Sequence, residues 1–507
     1  MYKPFFCLSI LLLFLTAGLR AQPIGSAPEF QMQKAELEAH LRFIASDALM
    51  GRRTGEPGND VAAAYLAAQF QAYGLKTPPG SDDYYQKVPF RATTPPKSAS
   101  LALQGSTYAQ GDQLLMMMGN LPATETQAVF ANYGWVDESK GYNDYDGLDV
   151  DGKVVFVLPG TPEGKNPGTV FRSMSAKRQA ARERGAVALI ELFRLPGVPW
   201  SFFKNYFNKE TLDLAEDDDT GAEPPLAYGW IKEKEEAAVK RMQDGKRTKV
   251  SLQSSGYAQR RLFSNNVMGI IEGTDPELKE EYVLLSAHYD HVGTGEDGGG
   301  PFTEKDSIFN GARDNGMGTT ALLGAAKAFA QQPPQRSIIV LAVTGEEIGL
   351  LGSQYYVNHP LIPLEKTVFN LNTDGAGYND VTYVSAFGYG RTGTDQLIDA
   401  GANIFGLDVL PNPIPDQRIF DRSDNASFAQ AGIPALSLSP GITEFNQEVI
   451  KYYHQVVDNP DSIDYDYLLK YTQAFIRTAR LIANADQRPM WIEGDKYEGA
   501  GKELYNR

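Results

Sequence analysis

Thiols are almost missing from this chain. Of its 507 residues only Cys7 is a cysteine, and it falls inside an apolar N-terminal stretch. The rest of the chain can therefore form neither a disulfide nor a thiolate metal site. Histidine is nearly as scarce, with five in the whole sequence, so a site that needs imidazole must draw on a very small set. Positive charge is in deficit. Lys and Arg number 47 against 63 Asp and Glu, and the formal net charge is -16. Such a surface repels nucleic acid and anionic membranes and favours solubility. Anionic substrates are not excluded, because the local charge of a site can oppose the net charge. Beyond the N-terminal segment, no hydrophobic run is long enough for a membrane helix.

What is present begins with that segment. Lys3, the apolar stretch Phe5 to Ala17 and Leu19-Arg20-Ala21 ahead of Gln22 read as a signal peptide over 1–21. Arg20 is an untidy flank, which leaves an uncleaved anchor as the alternative. The mature chain is expected to be secreted or periplasmic, with no stable membrane span once the signal is cut. Hydrophobic content of 42% and aromatic content of 11% are those of a globular protein. The length favours two domains, or one large and one inserted.

Residues 30–75 show two helical patterns. Ala35, Leu37, Leu41, Phe43 and Ile44 share one face, and Val61, Ala64, Tyr65, Ala68 and Phe70 another. Gly74 is a candidate C-cap. Gly51-Arg52-Arg53-Thr54-Gly55 reads as the loop between them, and a strand follows near 86–90. From about residue 98 the texture changes to short strand-like runs such as 128–131 and 154–158, with one helix over 175–184 ending at Gly185. That stretch contains no cluster of reactive residues and reads as a separate module. Glu216-Asp217-Asp218-Asp219 within it reads as a solvated loop. From Asn265 the rhythm is strand, loop, helix, strand. Apolar runs at 282–287, 338–343, 368–371 and 435–438 alternate with helices near 316–330, 346–357 and 466–483. The expected fold is α/β, with a mixed, mostly parallel sheet flanked by helices and ligands bound at the carboxyl ends of its strands.

Five potential metal ligands occur in this second half in the order His, Asp, Glu, Asp, His. His288 and Asp290 end the first run, and Asp314 lies in Asn310-Gly311-Ala312-Arg313-Asp314-Asn315-Gly316 ahead of a helix. Glu347 follows Glu346 in Thr344-Gly345-Glu346-Glu347-Ile348-Gly349, Asp374 follows the third run, and His454 comes last. Imidazole with carboxylate and no thiol suits zinc. Asp314 can bridge two cations with its two oxygens. Asp290, two residues from His288, is placed to accept a hydrogen bond from the ring nitrogen that does not bind metal. His291 competes with His288 as the ligand, and the spacing to Asp290 favours His288. Glu347 is read as a ligand and Glu346 as the general base. Each residue alone also has a structural reading: helix N-cap for Asp314, first-turn acid for the glutamates and turn residue for Asp374. Arg313 is expected to point away from two dications.

These residues resemble the co-catalytic zinc peptidase family of bacterial leucyl aminopeptidases, glutamate carboxypeptidase II and the glutaminyl cyclases. Arg422-Ser423-Asp424-Asn425-Ala426-Ser427-Phe428 and Asp458-Asn459-Pro460-Asp461-Ser462-Ile463-Asp464 fit the same pattern. The resemblance is strong over 255–485 and looser over 30–90. It implies one zinc held by Asp314, Glu347 and His454 and a second by His288, Asp314 and Asp374, hence two Zn2+ per chain. It further implies that Glu346 acts as base and then as acid to the leaving amine. Residues 100–252 resemble an inserted protease-associated domain, which divides the chain into 1–21, 22–99, 100–252 and 253–507. Met317, Arg313 and Asn425 depart from the family's usual residues without touching the ligand set. A tyrosine often helps stabilise the oxyanion in such enzymes, and Tyr383, Tyr389, Tyr452 and Tyr453 are the candidates. The implied function is a secreted aminopeptidase acting on peptide substrates. The alternatives are a carboxypeptidase, for which Arg391, Arg418 or Arg422 would bind the substrate carboxylate, and a glutaminyl cyclase.

Overall fold

The computed structural model describes residues 32–195, 197–215, 224–232 and 236–506. The signal-peptide reading and the acidic run 216–219 lie outside these residues. Among the described residues, no helix is long and apolar enough to cross a membrane.

Two large sheets organise the chain. The first has nine strands. Its centre is the parallel set Ser337–Val343, Tyr282–His288, Thr367–Asn372 and Ala435–Pro440. Side chains along these strands alternate between two cores, as the period of two requires. Val283, Leu285, Ile338, Val340 and Leu371 face one core, whereas Leu284, Ile339, Leu341 and Val343 face the other. The first core is closed by helices Lys34–Ile44, Pro57–Tyr73, Met317–Gln331 and Tyr465–Ala483. Antiparallel strands extend the sheet on both sides. Ala258–Ile271 pairs with Ser337–Val343 and with Tyr85–Thr94, and Tyr383–Phe387 pairs antiparallel with Ala435–Pro440. The sheet is thus mixed as expected, with its parallel pairing concentrated at the centre, where connections run through helices.

The second sheet has eight strands, all drawn from Ser98 to Ser255. Helix Pro167–Glu183 packs on one face and Glu236–Gln243 on the other. One strand of this stretch crosses over. Thr211–Leu214 pairs antiparallel with Tyr85–Thr94 and so forms an edge of the first sheet.

The N-terminal helices sit differently from their sequence patterns. In Pro57–Tyr73 the buried positions are Ala62, Ala63, Leu66, Ala67 and Phe70, while Val61, Ala64 and Ala68 face out. A helix this rich in alanine has little contrast between its faces, and packing chooses the one whose small residues allow close approach. In Lys34–Ile44 the buried His40 joins Leu37, Leu41 and Ile44, while Phe43 is exposed and stacks on Tyr65. Gly74 ends the second helix in the left-handed conformation, as a C-cap glycine does.

Between these helices the chain turns through Met50 and Gly51, both at positive φ. A Cβ on Gly51 would meet the carbonyl oxygen of Gly293 at 2.3 Å, so glycine is required there. This close approach delivers Arg52 into the interior with no exposed surface. Its guanidinium donates to the carbonyls of Tyr289 (2.7 Å), Ile44 (2.8 Å), Asn310 (2.5 Å) and Gly311 (3.1 Å). Burial pushes its pKa down to about 10, against the pull of Asp290 and Asp314. One side chain therefore joins the end of the strand carrying His288 to the loop carrying Asp314. Replacing it leaves several buried carbonyls without donors, each costing about 1–3 kcal/mol. We expect Arg52→Met to lower stability by about 3 kcal/mol or more. Arg52→Lys should recover little, because an ammonium lacks the planar fork. Denaturant midpoints measure both, and an Arg52→Met loss under about 1 kcal/mol would contradict this role.

Candidate metal centre

The four central parallel strands present their carboxyl ends at one edge of the sheet. His288 is the last residue of Tyr282–His288. Glu346 and Glu347 follow Ser337–Val343, and Asp374 follows Thr367–Asn372. The two glutamates do not open a helix as their sequence suggested. They occupy a turn, and the helix begins at Leu351. Gly349 and Leu350 both take positive φ, which interrupts the helix and leaves the turn bonded from Gly349 N and Leu350 N to the Glu346 carbonyl. Asp314 lies in the irregular turn Ala312–Gly316, just ahead of helix Met317–Gln331. His454 comes from a separate loop after the short helix Gln447–Ile450, at φ 52.

His288, Asp314, Glu347, Asp374 and His454 meet. His288 Nε2 lies 3.2 Å from Asp374 Oδ1 and 3.4 Å from Asp314 Oδ1. His454 Nε2 lies 3.1 Å from Glu347 Oε2 and 3.2 Å from Asp314 Oδ2. Each histidine therefore faces one terminal carboxylate and one oxygen of Asp314. A tetrahedron of nitrogen and oxygen ligands about 2.0–2.1 Å from zinc has edges of about 3.3–3.4 Å. The observed spacings match that shape without rearrangement, so the residues fit such ions. Glu346 lines the same small cavity with Asp314, Glu347, Asp374, Ala376, Ile419, Arg422, Ser423 and Tyr453.

Asp290 works differently from its sequence reading. His288 Nδ1 is 3.2 Å from the Asp290 main-chain carbonyl and 3.8 Å from its carboxylate. The carbonyl is thus the nearer partner for the ring N–H, and it leaves Nε2 free to face the other carboxylates. The Asp290 carboxylate instead accepts from Thr54 Oγ1 (3.1 Å), Glu346 N (3.2 Å) and Glu347 N (3.4 Å). It holds the turn that carries both glutamates.

Three further residues have surroundings that the sequence did not show. The buried Asp458 accepts from the main-chain N–H of Arg313 (2.9 Å) and of Asp314 (3.4 Å), which fixes the Asp314 turn. His291 Nδ1 lies 2.7 Å from Glu347 Oε1. Asp424, next in sequence to the lining residue Ser423, is fully buried, with no hydrogen-bond partner for either carboxylate oxygen. The Arg313 side chain turns from the candidate ligands, as expected, although its Nε stays 3.7 Å from Asp458 Oδ1. Its guanidinium lies over the rings of Tyr452 (3.7 Å) and Tyr378 (4.3 Å) and donates to the Ser462 carbonyl. Of the four tyrosine candidates, Tyr453 lines the cavity, Tyr452 stacks on Arg313 and Tyr389 bonds Asp399.

The electrostatics follow from burying many carboxylates together. Burial opposes a charged His454, yet Glu347 and Asp314 outweigh it and hold its pKa at about 10. His288 is likewise raised, against burial, by Glu346, Asp374 and Asp314. Burial pushes Asp314 up, but the hydrogen bonds from His288 and His454 hold it far below the usual carboxylate range. Glu347 is held at about 2 against its own burial and Asp314, chiefly by His454 and His291. Burial raises Glu346 well above its ordinary value and lifts Asp290 to about 6 and Asp424 and Asp458 to about 7. Protons are thus retained where positive charge is needed.

With the geometry described, comparison places it among known proteins. Residues 266–479 match the family model Peptidase family M28. Over that stretch the chain matches a peptidase family domain. Over 132 residues, 26% of this chain, it is 38% identical to the vacuolar membrane protease of Saccharomyces cerevisiae strain YJM789, and the match covers 12% of that protein. The vacuolar membrane protease of Lachancea thermotolerans is 30% identical over 175 residues, 34% of this chain and 16% of that protein. The aligned region thus spans only a small part of these relatives' length. An aminopeptidase from Aneurinibacillus sp. strain AM-1 superposes with a TM-score of 0.56 at 18% identity, covering 91% of this chain and 95% of that one, which shows a shared fold.

The proton inventory predicts how the metal-free protein responds to pH. Asp290, Asp424 and Asp458 have folded pKa values of about 6 to 7 against 3.8. His454 stands at about 10 against 6.5. In every case the folded chain holds the proton longer than the unfolded chain, so stability falls as pH rises through these windows. The depressed Asp314 and Glu347 act only at acid pH, where their contribution is lost as pH falls. Metal-free protein should therefore melt at progressively lower temperature from about pH 6 to about pH 9. Zinc should flatten that slope and release protons on binding near neutrality. Thermal melts with and without zinc measure the first effect, and titration in weak buffer the second. A melting temperature of the metal-free protein that rises over this range would contradict the arrangement.

Proposed function

We propose that this chain is a metallo-exopeptidase that removes N-terminal residues from peptides, with two zinc ions per chain. The observation that carries this reading is that His288 and His454 each face one terminal carboxylate and one oxygen of Asp314, with Glu346 lining the same cavity. His288, Asp314 and Asp374 would hold one ion, and Asp314, Glu347 and His454 the other. When bound, such a pair supplies Lewis acidity to the scissile carbonyl and makes water nucleophilic at neutral pH. Glu346 takes the proton from the attacking water and returns it to the departing amine nitrogen. Its high pKa in the metal-free protein comes from burial and neighbouring carboxylates, and two dications would lower it to a working range. Asp290 positions the Glu346 and Glu347 amides. Tyr453, which lines the cavity, would donate to the developing oxyanion.

The direction of attack is supported by charge. Glu346 is the one acidic lining residue not assigned to an ion, and its carboxylate can pair with the ammonium of a free N-terminus. Beside the cavity lies an apolar recess of Phe387, Ile414, Ile419 and Ile442 that shares Asp374 and Ala376 with it. Its composition favours a compact apolar first side chain. A carboxypeptidase remains the second reading, because Arg422 reaches the lining. The other two candidate arginines do not. Arg391 is held by Asp495 at 2.7 and 2.9 Å, and Arg418 pairs with Asp421. Export through the leader 1–21 completes the reading.

The module over 100–252 is proposed to restrict substrate length. Lys209 of the module donates to the carbonyl of Glu296, and the same loop is held from the N-terminal part by Arg53, which faces Asp297 at 3.8 Å. The loop that holds these residues runs on to Gly300, where a Cβ would meet the His454 carbonyl oxygen at 2.4 Å. A deletion test must spare 211–214, because that strand belongs to the first sheet.

Two measurements test the proposal. Glu346→Gln should lower kcat by at least ~10²-fold while zinc content stays near that of the unmodified protein. An active Glu346→Gln variant would remove the base assignment. In parallel, dipeptides should be cleaved when the C-terminus is amidated and spared when the N-terminus is acetylated. The opposite pattern selects the carboxypeptidase. One metal per active chain, with cyclisation of N-terminal glutamine, selects the cyclase.

A further inference from the structure

We infer that His291 is a positioning residue for Glu347, donating from Nδ1 to Glu347 Oε1 so that Glu347 meets its ion through Oε2 alone. The inference rests on the two-ion reading above and extends it to a residue outside the ligand set. The two oxygens of Glu347 have different partners. Oε2 faces His454 Nε2 at 3.1 Å, within the triangle completed by Asp314. Oε1 points the other way and lies 2.7 Å from His291 Nδ1. An ionised carboxylate only accepts hydrogen bonds, so the hydrogen must be on Nδ1. A ring nitrogen that carries that hydrogen has no lone pair to give to a metal. His291 Nδ1 is therefore not a ligand atom, although the residue stands with Asp314, Glu347 and His454 in one cluster able to hold an ion.

The ring is held for this task. His291 is 1% exposed, and its main-chain N–H donates to the Arg52 carbonyl. Gly311 lies against its face so closely that a Cβ there would meet His291 Cδ2 at 2.5 Å. The His454 ring meets it edge-on, with centroids 5.4 Å apart. Nε2 has no hydrogen-bond partner, so nothing on that side competes for the ring's orientation. A buried ring with one bond and a fixed plane can set the rotation of the Glu347 carboxylate. Without it, Glu347 is free to swing both oxygens toward one ion or to leave it.

The test compares His291→Asn with His291→Ala. Asparagine's Nδ2 falls near the position of histidine Nδ1, whereas alanine supplies no donor. Zinc content and affinity are read by dialysis against graded chelator, with absorption of the cobalt-substituted protein as the report on coordination. The unmodified protein should hold two ions. His291→Ala should weaken the weaker-held ion about 10–100-fold and alter the cobalt spectrum, with one ion retained. His291→Asn should restore both to near the unmodified values. If His291→Ala melts lower but binds both ions with unchanged affinity, the residue is only structural and the inference fails. If His291→Asn is as impaired as His291→Ala, donation from Nδ1 is wrong. If either loses the ion as completely as His454→Ala does, His291 is a ligand instead. Should His291→Ala not fold, His291→Gln replaces it, because its amide lies a methylene further out, near Nε2. An unmodified protein that binds fewer than two ions overturns the two-ion reading itself, a result separate from any of these.

Discussion

Asp290, Asp314, Glu346, Glu347, Asp374, Asp424 and Asp458 are gathered into one region at the end of the first sheet, and most of them are buried. Mutual repulsion of buried carboxylates is strong, because the interior screens charge far less than water does. The chain answers it in three ways. Asp290, Asp424 and Asp458 keep their protons to unusually high pH. His288 and His454 stay protonated between the others. Main-chain N–H groups of Glu346, Glu347, Arg313 and Asp314 turn inward to donate to Asp290 and Asp458. Each is a way of placing positive charge or its partial equivalent among acids. Bound zinc would satisfy the same need more completely, and protons would then exchange for metal.

The N-terminal segment belongs to this arrangement although it offers no ligand. Arg52 ties the carbonyls of Tyr289, Asn310 and Gly311 together. Thr54 donates to Asp290, and Asn59 accepts from Ser264 and donates to the Arg52 carbonyl. Asn310 in turn bonds the Ala45 carbonyl and Asp47. The loops bearing His288 and Asp314 therefore lean on residues more than 200 positions earlier in the chain. A single guanidinium does what a second cluster of acids could not. It brings positive charge near Asp290 and Asp314 while spending all its bonds on carbonyls, so it remains fixed when the acids change state.

Most of the proposed ligand set was legible because its members sit beside strong local patterns. His288 ends, and Glu346, Glu347 and Asp374 follow, strands of six or seven residues, and the scarcity of histidine singled out His454. The parallel core was legible for the same reason. The outer parts were less so. Helix Pro57–Tyr73 is rich in alanine on every side, and its buried face was fixed by packing that periodicity does not report. The glutamate turn looked helical because the left-handed Leu350 is a backbone state that leucine rarely adopts. Strand Thr211–Leu214 lies within a stretch of the second module's texture, yet it pairs with the first sheet. The roles of Arg52, Asp458 and the Asp290 carboxylate were hidden because they are made with main-chain atoms, which leave no trace in residue types. His291 was visible as a histidine but not as the partner of a residue 56 positions away.

Backbone strain at His454 follows from the same crowding. The residue takes φ 52, a left-handed conformation that costs a non-glycine residue roughly 1 kcal/mol or more. Its loop has several restraints that keep it there. Gln455 N bonds the Tyr452 carbonyl, Asp458 N bonds the Gln455 carbonyl, and Gly300 presses on the His454 carbonyl. Asp458 also accepts from the turn that carries Asp314. The loop bearing His454 is therefore locked to Asp314 by one carboxylate, and Asp314 to His288 by the fold of the sheet. A local change at any one of them shifts the distance between the two halves of the cluster. The site is rigid for that reason, and its precision comes from main-chain bonds to buried acids rather than from the ligands themselves.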